Sequence, residues 1–437
     1  MSENMEPTRG AGLLDEAGKC IECGTCLHSC PVYRETLEES IGPRGRNRLL
    51  REQAYAPDIL ADRHLQGVFD KCLLCGRCVA GCPRGVQNDL TVMLARGELV
   101  RRHGLPLAKT IAFRKLLADK AAMRRAVRLA GRFQWLLPRT RPGGSLPQRQ
   151  PLRHLPLLFL GLGRSCELPA IPEAFLDETV PEITPPARAV EGRNLRVAYF
   201  TGCATQYFLP GTGRAVIDLL AALGVTVVVP REQGCCGLAV QANGDAQTAK
   251  IMALKNLEVL SRQDVDLVVT ACATCGSSLK EGWVNLFRGD PRQGEFKALA
   301  EKVRDLSELL IELSGHKPLT YRSTLPPGTR VTYHDPCHLA GYQGVTEQPR
   351  RILRQVFGSD FVELDYPGCC GCGGSFSLHS HDLSQRIGAE KIEAIERTGA
   401  DVVVNTCPGC MIQIASGIAR RRLPQQVLHL AEIVAPQ

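Results

Sequence analysis

No apolar run in the sequence approaches the roughly 20 residues that a membrane-spanning helix needs. The opening stretch MSENMEPTRGAGLLDEAG has neither the basic nor the apolar region of a secretory signal. Integral membrane and secreted classes are set aside on these grounds, and a cytoplasmic chain is expected. There is no G-x-G-x-x-G after a strand and no other dinucleotide signature, so neither a flavin nor a nicotinamide is expected on this chain. An acid and base pair suited to drawing a proton from a substrate is also missing. Acids nearly vanish between Arg96 and Arg153, where only Glu98 and Asp119 stand against a succession of arginines and lysines. The whole positive surplus of the chain, +8, can be located there. Apolar residues from Ile111 to Trp135 recur in that stretch at roughly helical spacing, which predicts one or two basic amphipathic helices. Such helices either lie on an anionic membrane surface or pack between domains with a solvated basic face. Nucleic acid is not expected as a partner, since no recognition module or aromatic stacking pattern accompanies the charge.

What the sequence has in abundance is cysteine, 20 in 437 residues. A hydrophobic fraction of 44% and a charged fraction of 22% are those of a globular chain, long enough for two to four domains of ordinary size. Cytoplasmic thiols are kept reduced, so metal ligation explains this number better than disulfides do. Two runs are nearly the same: KCIECGTCLHSCP from Lys19 to Pro31, and KCLLCGRCVAGCP from Lys71 to Pro83. A C-x-x-C-x-x-C-x-x-x-C-P run supplies three thiolates to one cubane 4Fe-4S cluster, and its fourth cysteine reaches to a second cluster when two runs are present. The expected ligand sets are therefore Cys20, Cys23, Cys26 and Cys82 for one cluster, and Cys72, Cys75, Cys78 and Cys30 for the other. Structural zinc is the competing reading, but a third cysteine three residues on and a terminal Cys-Pro are not what a tetrahedral site asks for. The 52-residue spacing of Cys20 and Cys72, with helix-like sequence between, favours a helical two-cluster ferredoxin.

Proline-rich, weakly periodic sequence from Pro138 to Pro186 reads as a linker. Beyond Arg193 a unit occurs twice. The first copy carries Cys203, Cys235, Cys236, Cys272 and Cys275, and the second Cys337, Cys369, Cys370, Cys407 and Cys410. Single cysteine and pair are 32 residues apart in both copies, and pair and closing C-x-x-C are 36 apart in one and 37 in the other. Only Cys166 and Cys372 fall outside these patterns. Short β-branched runs alternate with helical stretches in each copy, which predicts parallel sheets with the cysteines gathered at the carboxyl ends of the strands. The expected class is a multidomain α+β chain, a helical two-cluster ferredoxin followed by two tandem α/β cysteine-rich repeats. The expected boundaries are 1–100 for the ferredoxin domain, 101–190 for the basic helical segment and linker, and 191–320 and 321–437 for the repeats.

The C-C-G pattern at this spacing resembles the cysteine-rich repeat of heterodisulfide reductase and its relatives. That resemblance implies one or two non-cubane 4Fe-4S clusters beside the two cubanes, one on each five-cysteine set, with structural zinc or an empty thiol nest as the alternatives. His334 and His338, either side of Cys337 in YHDPCHL, are candidate ligands or donors to ligands, although a histidine at a strand end is more often neither.

The whole arrangement, including IGPRGRNRLL from Ile41 to Leu50, resembles the iron-sulfur subunits of glycolate oxidase. Lactate and anaerobic glycerol-3-phosphate dehydrogenase subunits are similar to it as well. Both closing C-x-x-C pairs are intact, which pulls toward lactate-type and heterodisulfide-reductase-like members. The resemblance implies an electron-transfer subunit of a 2-hydroxy acid oxidase complex, with an FAD-containing partner and a quinone or another acceptor. Its place would be the cytoplasm or the inner face of the cell membrane. Catalytic residues are not assigned. A thiol-disulfide oxidoreductase subunit is the alternative from another class.

Overall fold

The computed structural model describes residues 15–52, 62, 64–138, 152–156, 165–188, 190, 194–315 and 321–437. The RPGGSLPQ stretch, the residues before Asp15 and the side chain of Cys166 lie outside them. The chain forms two compact units.

The first unit contains residues 1–110 together with Ala239–Gln247 and Gly371–Ile387, two segments that each follow a C-C pair. Its described core is helical, built on Ala17, Leu50, Phe69, Leu74, Val92, Ala95 and Leu99. Helix Pro43–Glu52 carries the Gly-Pro-Arg-Gly-Arg stretch, and the reason for that sequence is steric and polar at once. A Cβ at Gly45 would lie 2.1 Å from the Glu39 carbonyl oxygen, so only glycine lets the helix approach that turn. One residue further, buried Arg46 donates from Nε to the Val68 carbonyl at 3.2 Å and from Nη2 to the Lys71 carbonyl at 2.8 Å. These bonds hold the chain that enters the second cysteine run. Arg96 of helix Asn88–His103 donates to the carbonyls of Phe69, Asp70 and Cys72 in the same turn.

The second unit is α/β. Its strands are β1 (Leu152–Pro156), β2 (Ser165–Pro169), β3 (Ile183–Thr184), β4 (Arg196–Tyr199), β5 (Thr226–Val228), β6 (Leu267–Thr270), β7 (Val303–Asp305), β8 (Tyr321–Ser323), β9 (Val331–Tyr333), β10 (Phe361–Val362), β11 (Val402–Asn405), β12 (Gln426–His429) and β13 (Val434–Pro436). One sheet has the order β3-β5-β4-β6-β7 and the other β10-β9-β11-β12. Apart from the antiparallel edge strand β3, every pairing in both is parallel. The orders β5-β4-β6-β7 and β10-β9-β11-β12 are the same topology drawn twice, so the duplicated sequence folds into a duplicated sheet. Helices Ala246–Ser261 and His381–Thr398 occupy corresponding places and match the helical stretches predicted there. The proline-rich stretch contributes a β1–β2 hairpin and β3.

Each repeat ends alike. Asp305 caps helix Leu306–Ser314 with Glu308 closing a capping box, and His429 caps Leu430–Ile433 with Glu432 doing the same. The strands that follow, β8 and β13, pair antiparallel with one another, and a shared core runs from Val197 and Tyr199 through Val331 and Tyr333 to Leu428 and Ile433.

His429 also ties the repeats together. Its Nδ1 accepts from the Ala431 amide at 3.1 Å and its Nε2 donates to the Ala271 carbonyl at 3.0 Å, which fixes a neutral tautomer. Burial pushes its pKa down to about 4. A folded pKa below the unfolded value of about 6.5 means that its contribution is fully present above pH ~6.5 and is lost as pH falls toward 4, to a total of about 3 kcal/mol. Replacing His429 with Asn keeps the cap acceptor but no titrating group. Unfolding midpoints measured from pH 7 to pH 4 should fall less steeply for H429N than for the parent, and parallel curves would contradict this role.

Candidate metal centres

In the first unit the two cysteine runs share one backbone design. Gly24 and Gly76 take left-handed φ values of 83° and 68°, each opening a short helix, Thr25–Ser29 or Arg77–Ala80. Two residues earlier, Glu22 and Leu74 are left-handed as well, at 58° and 53°. A side chain held there costs on the order of 1–3 kcal/mol, and the same strain at the same place in both runs points to a shared demand on the loop. That demand is convergence of three sulfurs. Amides also turn toward the sulfurs: Tyr33 donates to Cys30 at 3.5 Å, Leu74 to Cys72 at 3.4 Å and Val86 to Cys82 at 3.4 Å.

The grouping of the thiols crosses between the runs. Around Cys26 stand Cys20, Cys23 and Cys82. Cys72 and Cys30 stand around Cys75, and Cys78 faces Cys75, Cys72 and Cys30. Burial pushes the Cys26 thiol up to about 11 and the Cys75 thiol up to about 12, with neighbouring sulfurs adding to the rise. Thiols so placed stay protonated near neutral pH until a cation takes the charge, and thiolate is the soft donor that suits iron in a sulfide cage. Donor type, number and grouping therefore fit two four-thiolate sites. A buried amide pair, Asn47 donating to Asn88 at 2.7 Å, with Asn88 in turn donating to the Cys78 carbonyl, braces the second run.

In the second unit the cysteines lie beyond the carboxyl ends of β4, β5, β6, β9, β10 and β11. Within the first repeat Cys203 contacts Cys235, Cys235 contacts Cys236, Cys236 contacts Cys275 and Cys275 contacts Cys272. In the second, Cys407 contacts Cys410, and Cys370 contacts both Cys369 and Cys410, the last at 3.3 Å between sulfurs. Cys337 opens helix Cys337–Gln343 and is half-buried. The two sets read as separate in the sequence are joined in space. Cys272 and Cys407 are hydrogen-bonded, and Thr274 reaches Cys407 at 3.4 Å across the same boundary. Mutual hydrogen bonding holds Cys236, Cys370 and Cys407 well below the ordinary thiol pKa and drives Cys235, Cys275 and Cys410 well above it, while at Cys272 the lowering bond to Cys275 is outweighed by Cys407 and burial.

Several supporting residues carry no signal that spacing alone reveals. Asn256 accepts from the Gly234 amide at 2.8 Å and donates to the Cys235 carbonyl at 2.9 Å, while Trp283 donates to the Cys236 carbonyl at 2.9 Å. Together they fix the first C-C pair. The two histidines flanking Cys337 separate: His338 shares a 2.7 Å hydrogen bond with Ser277 of the other repeat, whereas His334 is buried beside Cys370 and Cys410.

Comparison with known proteins agrees with this anatomy. A 4Fe-4S dicluster domain matches residues 16–86, and a cysteine-rich domain matches twice, at 197–280 and 331–415. The chain is 32% identical over 95% of its length to the probable glycolate oxidase iron-sulfur subunit of Bacillus subtilis, covering 92% of that protein. Lactate utilization protein A of Geobacillus thermodenitrificans is 35% identical over 55% of this chain and 98% of its own length. A fumarate reductase (CoM/CoB) subunit of Methanothermobacter marburgensis is 28% identical over 95% of this chain and 71% of its own.

Crossed ligation has a direct test. Cys23→Ser and Cys82→Ser, in different runs, should each abolish the same cluster and leave the same surviving electron paramagnetic resonance spectrum. Different surviving spectra would mean that each run keeps its own fourth cysteine.

Proposed function

Because the chain belongs to the family of the glycolate oxidase iron-sulfur subunits, we propose that it carries electrons from a reduced flavoprotein partner to a quinone or another acceptor within a 2-hydroxy acid oxidase complex. The observation that carries this reading is the crossed grouping of eight cysteines in the first unit. We assign Cys20, Cys23, Cys26 and Cys82 to one cubane and Cys72, Cys75, Cys78 and Cys30 to the other. Cys203, Cys235, Cys236, Cys272 and Cys275 are assigned to a further centre, and Cys337, Cys369, Cys370, Cys407 and Cys410 to a fourth. When bound, such clusters supply one-electron transfer, at potentials anywhere from about −700 to +450 mV depending on their surroundings. The chain's own residues hold the sulfurs, shield most of them from water and direct amides at three of those in the first unit.

A 2-hydroxy acid gives up two electrons together, so a two-electron carrier has to stand between it and one-electron sites. That carrier is the flavin of the partner. The expected result of reconstitution follows: substrate-dependent bleaching of this chain's visible absorption should require both the purified chain and the flavoprotein. It should appear with glycolate or a lactate enantiomer and not with glycerol 3-phosphate. Turnover by this chain alone would overturn the assignment of roles.

Docking on an anionic membrane surface is the second part of the proposal. Among the described residues no helix is long and apolar enough to cross a membrane. Helix Lys120–Phe133 buries Val127 against Phe175 and Tyr207, and Arg124 and Arg128 pair with Asp177 and Glu178, so part of the basic stretch is neutralised. Leu129, Phe133, Trp135 and Leu136 are nevertheless exposed, Trp135 at 71%, next to exposed Arg125 and Arg132. Apolar tips among arginines suit the headgroup region. The chain has two tryptophans, and the other, Trp283, is buried. A blue shift of tryptophan emission with phosphatidylglycerol vesicles at low salt, lost in Trp135→Phe, would therefore report this surface. An unchanged spectrum and no cosedimentation would remove the membrane from the proposal.

A further inference from the structure

The two repeats share a topology but not the lining of their cysteine sites. The offset that relates Cys203 to Cys337 and Cys235 to Cys369 also relates Phe200 to His334, and the offset one residue longer that relates Cys272 to Cys407 relates Asn256 to Lys391. In the first repeat both positions are buried and uncharged, Phe200 packed edge-on against Trp283 at 6.3 Å and Asn256 bonded to the C-C pair. In the second both are basic and buried, His334 and Lys391 each 1% exposed. A buried imidazole in place of phenyl, or a cation in place of an amide, is costly unless something nearby offsets it.

His334 shows what that is. Neither ring nitrogen meets a nitrogen or oxygen partner, although the residue is buried, and the group it faces is the Cys370 thiol. Its ligand nitrogen and the sulfurs of Cys370 and Cys410 lie within 4.8 Å of one another. An unsatisfied buried polar group costs about 1–3 kcal/mol, and a nitrogen–metal bond removes that cost at one nitrogen. Lys391 donates to the Tyr366 carbonyl and sits 4.9 Å from the centre of the Tyr366 ring, and the sulfurs of Cys369, Cys370 and Cys410 act on its charge.

We propose that His334 is a nitrogen ligand of the metal centre in the second repeat, making it a mixed cysteine and histidine site of higher reduction potential than the all-cysteine centre of the first. The step rests on the reading that this repeat holds an iron-sulfur centre. Bound in place of one of the five thiolates, a neutral imidazole leaves the centre less negative, and replacing cysteine by histidine on iron raises potentials in other iron-sulfur proteins. The Lys391 ammonium acts in the same sense. Electrons shared between the repeats would collect in the second.

The full chain, reconstituted anaerobically with iron and sulfide, carries the test. Iron content above the ~8 atoms of two cubanes establishes that the repeats are loaded, and a value no higher overturns both this proposal and the reading it rests on. With the repeats loaded, pulsed electron paramagnetic resonance of a paramagnetic state should show a directly bonded nitrogen whose coupling changes on 15N-histidine labelling. His334→Phe, which copies the first repeat, should lose that coupling and leave both cubane signals in place. His334→Cys, which retains a donor, should keep the iron and lose the nitrogen. Lys391→Leu should keep the nitrogen and shift one potential downward. A loaded wild-type chain without histidine coupling, or coupling that survives in His334→Phe, overturns the proposal.

Discussion

Thiols gathered out of water are poor acids, and each one that ionises makes the next harder to ionise. The fold nevertheless gathers them, in two crossed sets of four in one unit and along a contiguous path through both repeats in the other. Other features answer to this constraint. Left-handed loops bend three sulfurs inward, amides donate to sulfur, and glutamine, asparagine and tryptophan side chains fix the carbonyls and amides around the first C-C pair. Without a cation the arrangement is electrostatically frustrated, and with one it becomes a binding site whose affinity is also folding energy.

Much of this was legible in the sequence, because cluster loops have to be written locally. Three thiolates on one cube face require fixed short spacings, and the two runs display them without reference to the rest of the chain. The repeats were legible through their intervals, and the β-branched runs at 196–199, 226–228 and 267–270 became parallel strands because a strand buried on both faces has no room for alternation. The family, too, was visible from the motifs, with the Gly-Pro-Arg-Gly-Arg stretch as a secondary match. Its physical content was not visible: Gly45 is there for a 2.1 Å approach and Arg46 for two carbonyls more than 20 residues away.

What escaped the sequence is what depends on distant segments meeting. Nothing near Cys272 says that Cys407 is its neighbour, and nothing after either C-C pair says that Ala239–Gln247 and Gly371–Ile387 belong to the helical unit. The counter-charges of the basic stretch escaped for a similar reason. Asp177 and Glu178 come from beyond the RPGGSLPQ stretch, and only folding places them against Arg124 and Arg128.

The pairing of β8 with β13 bears on how the polypeptide matures as it leaves the ribosome. Strand β8 belongs to the junction after the first half of the duplication, but its partner, Val434–Pro436, is made more than a hundred residues later. The Ala271 carbonyl likewise waits for His429. The first repeat therefore emerges with an unpaired strand and a half-walled sulfur pocket, and neither is completed while the second is still being translated. In the order of biosynthesis, the eight cysteines of the two amino-terminal runs have all emerged by Cys82, so theirs are the thiols that can gather first.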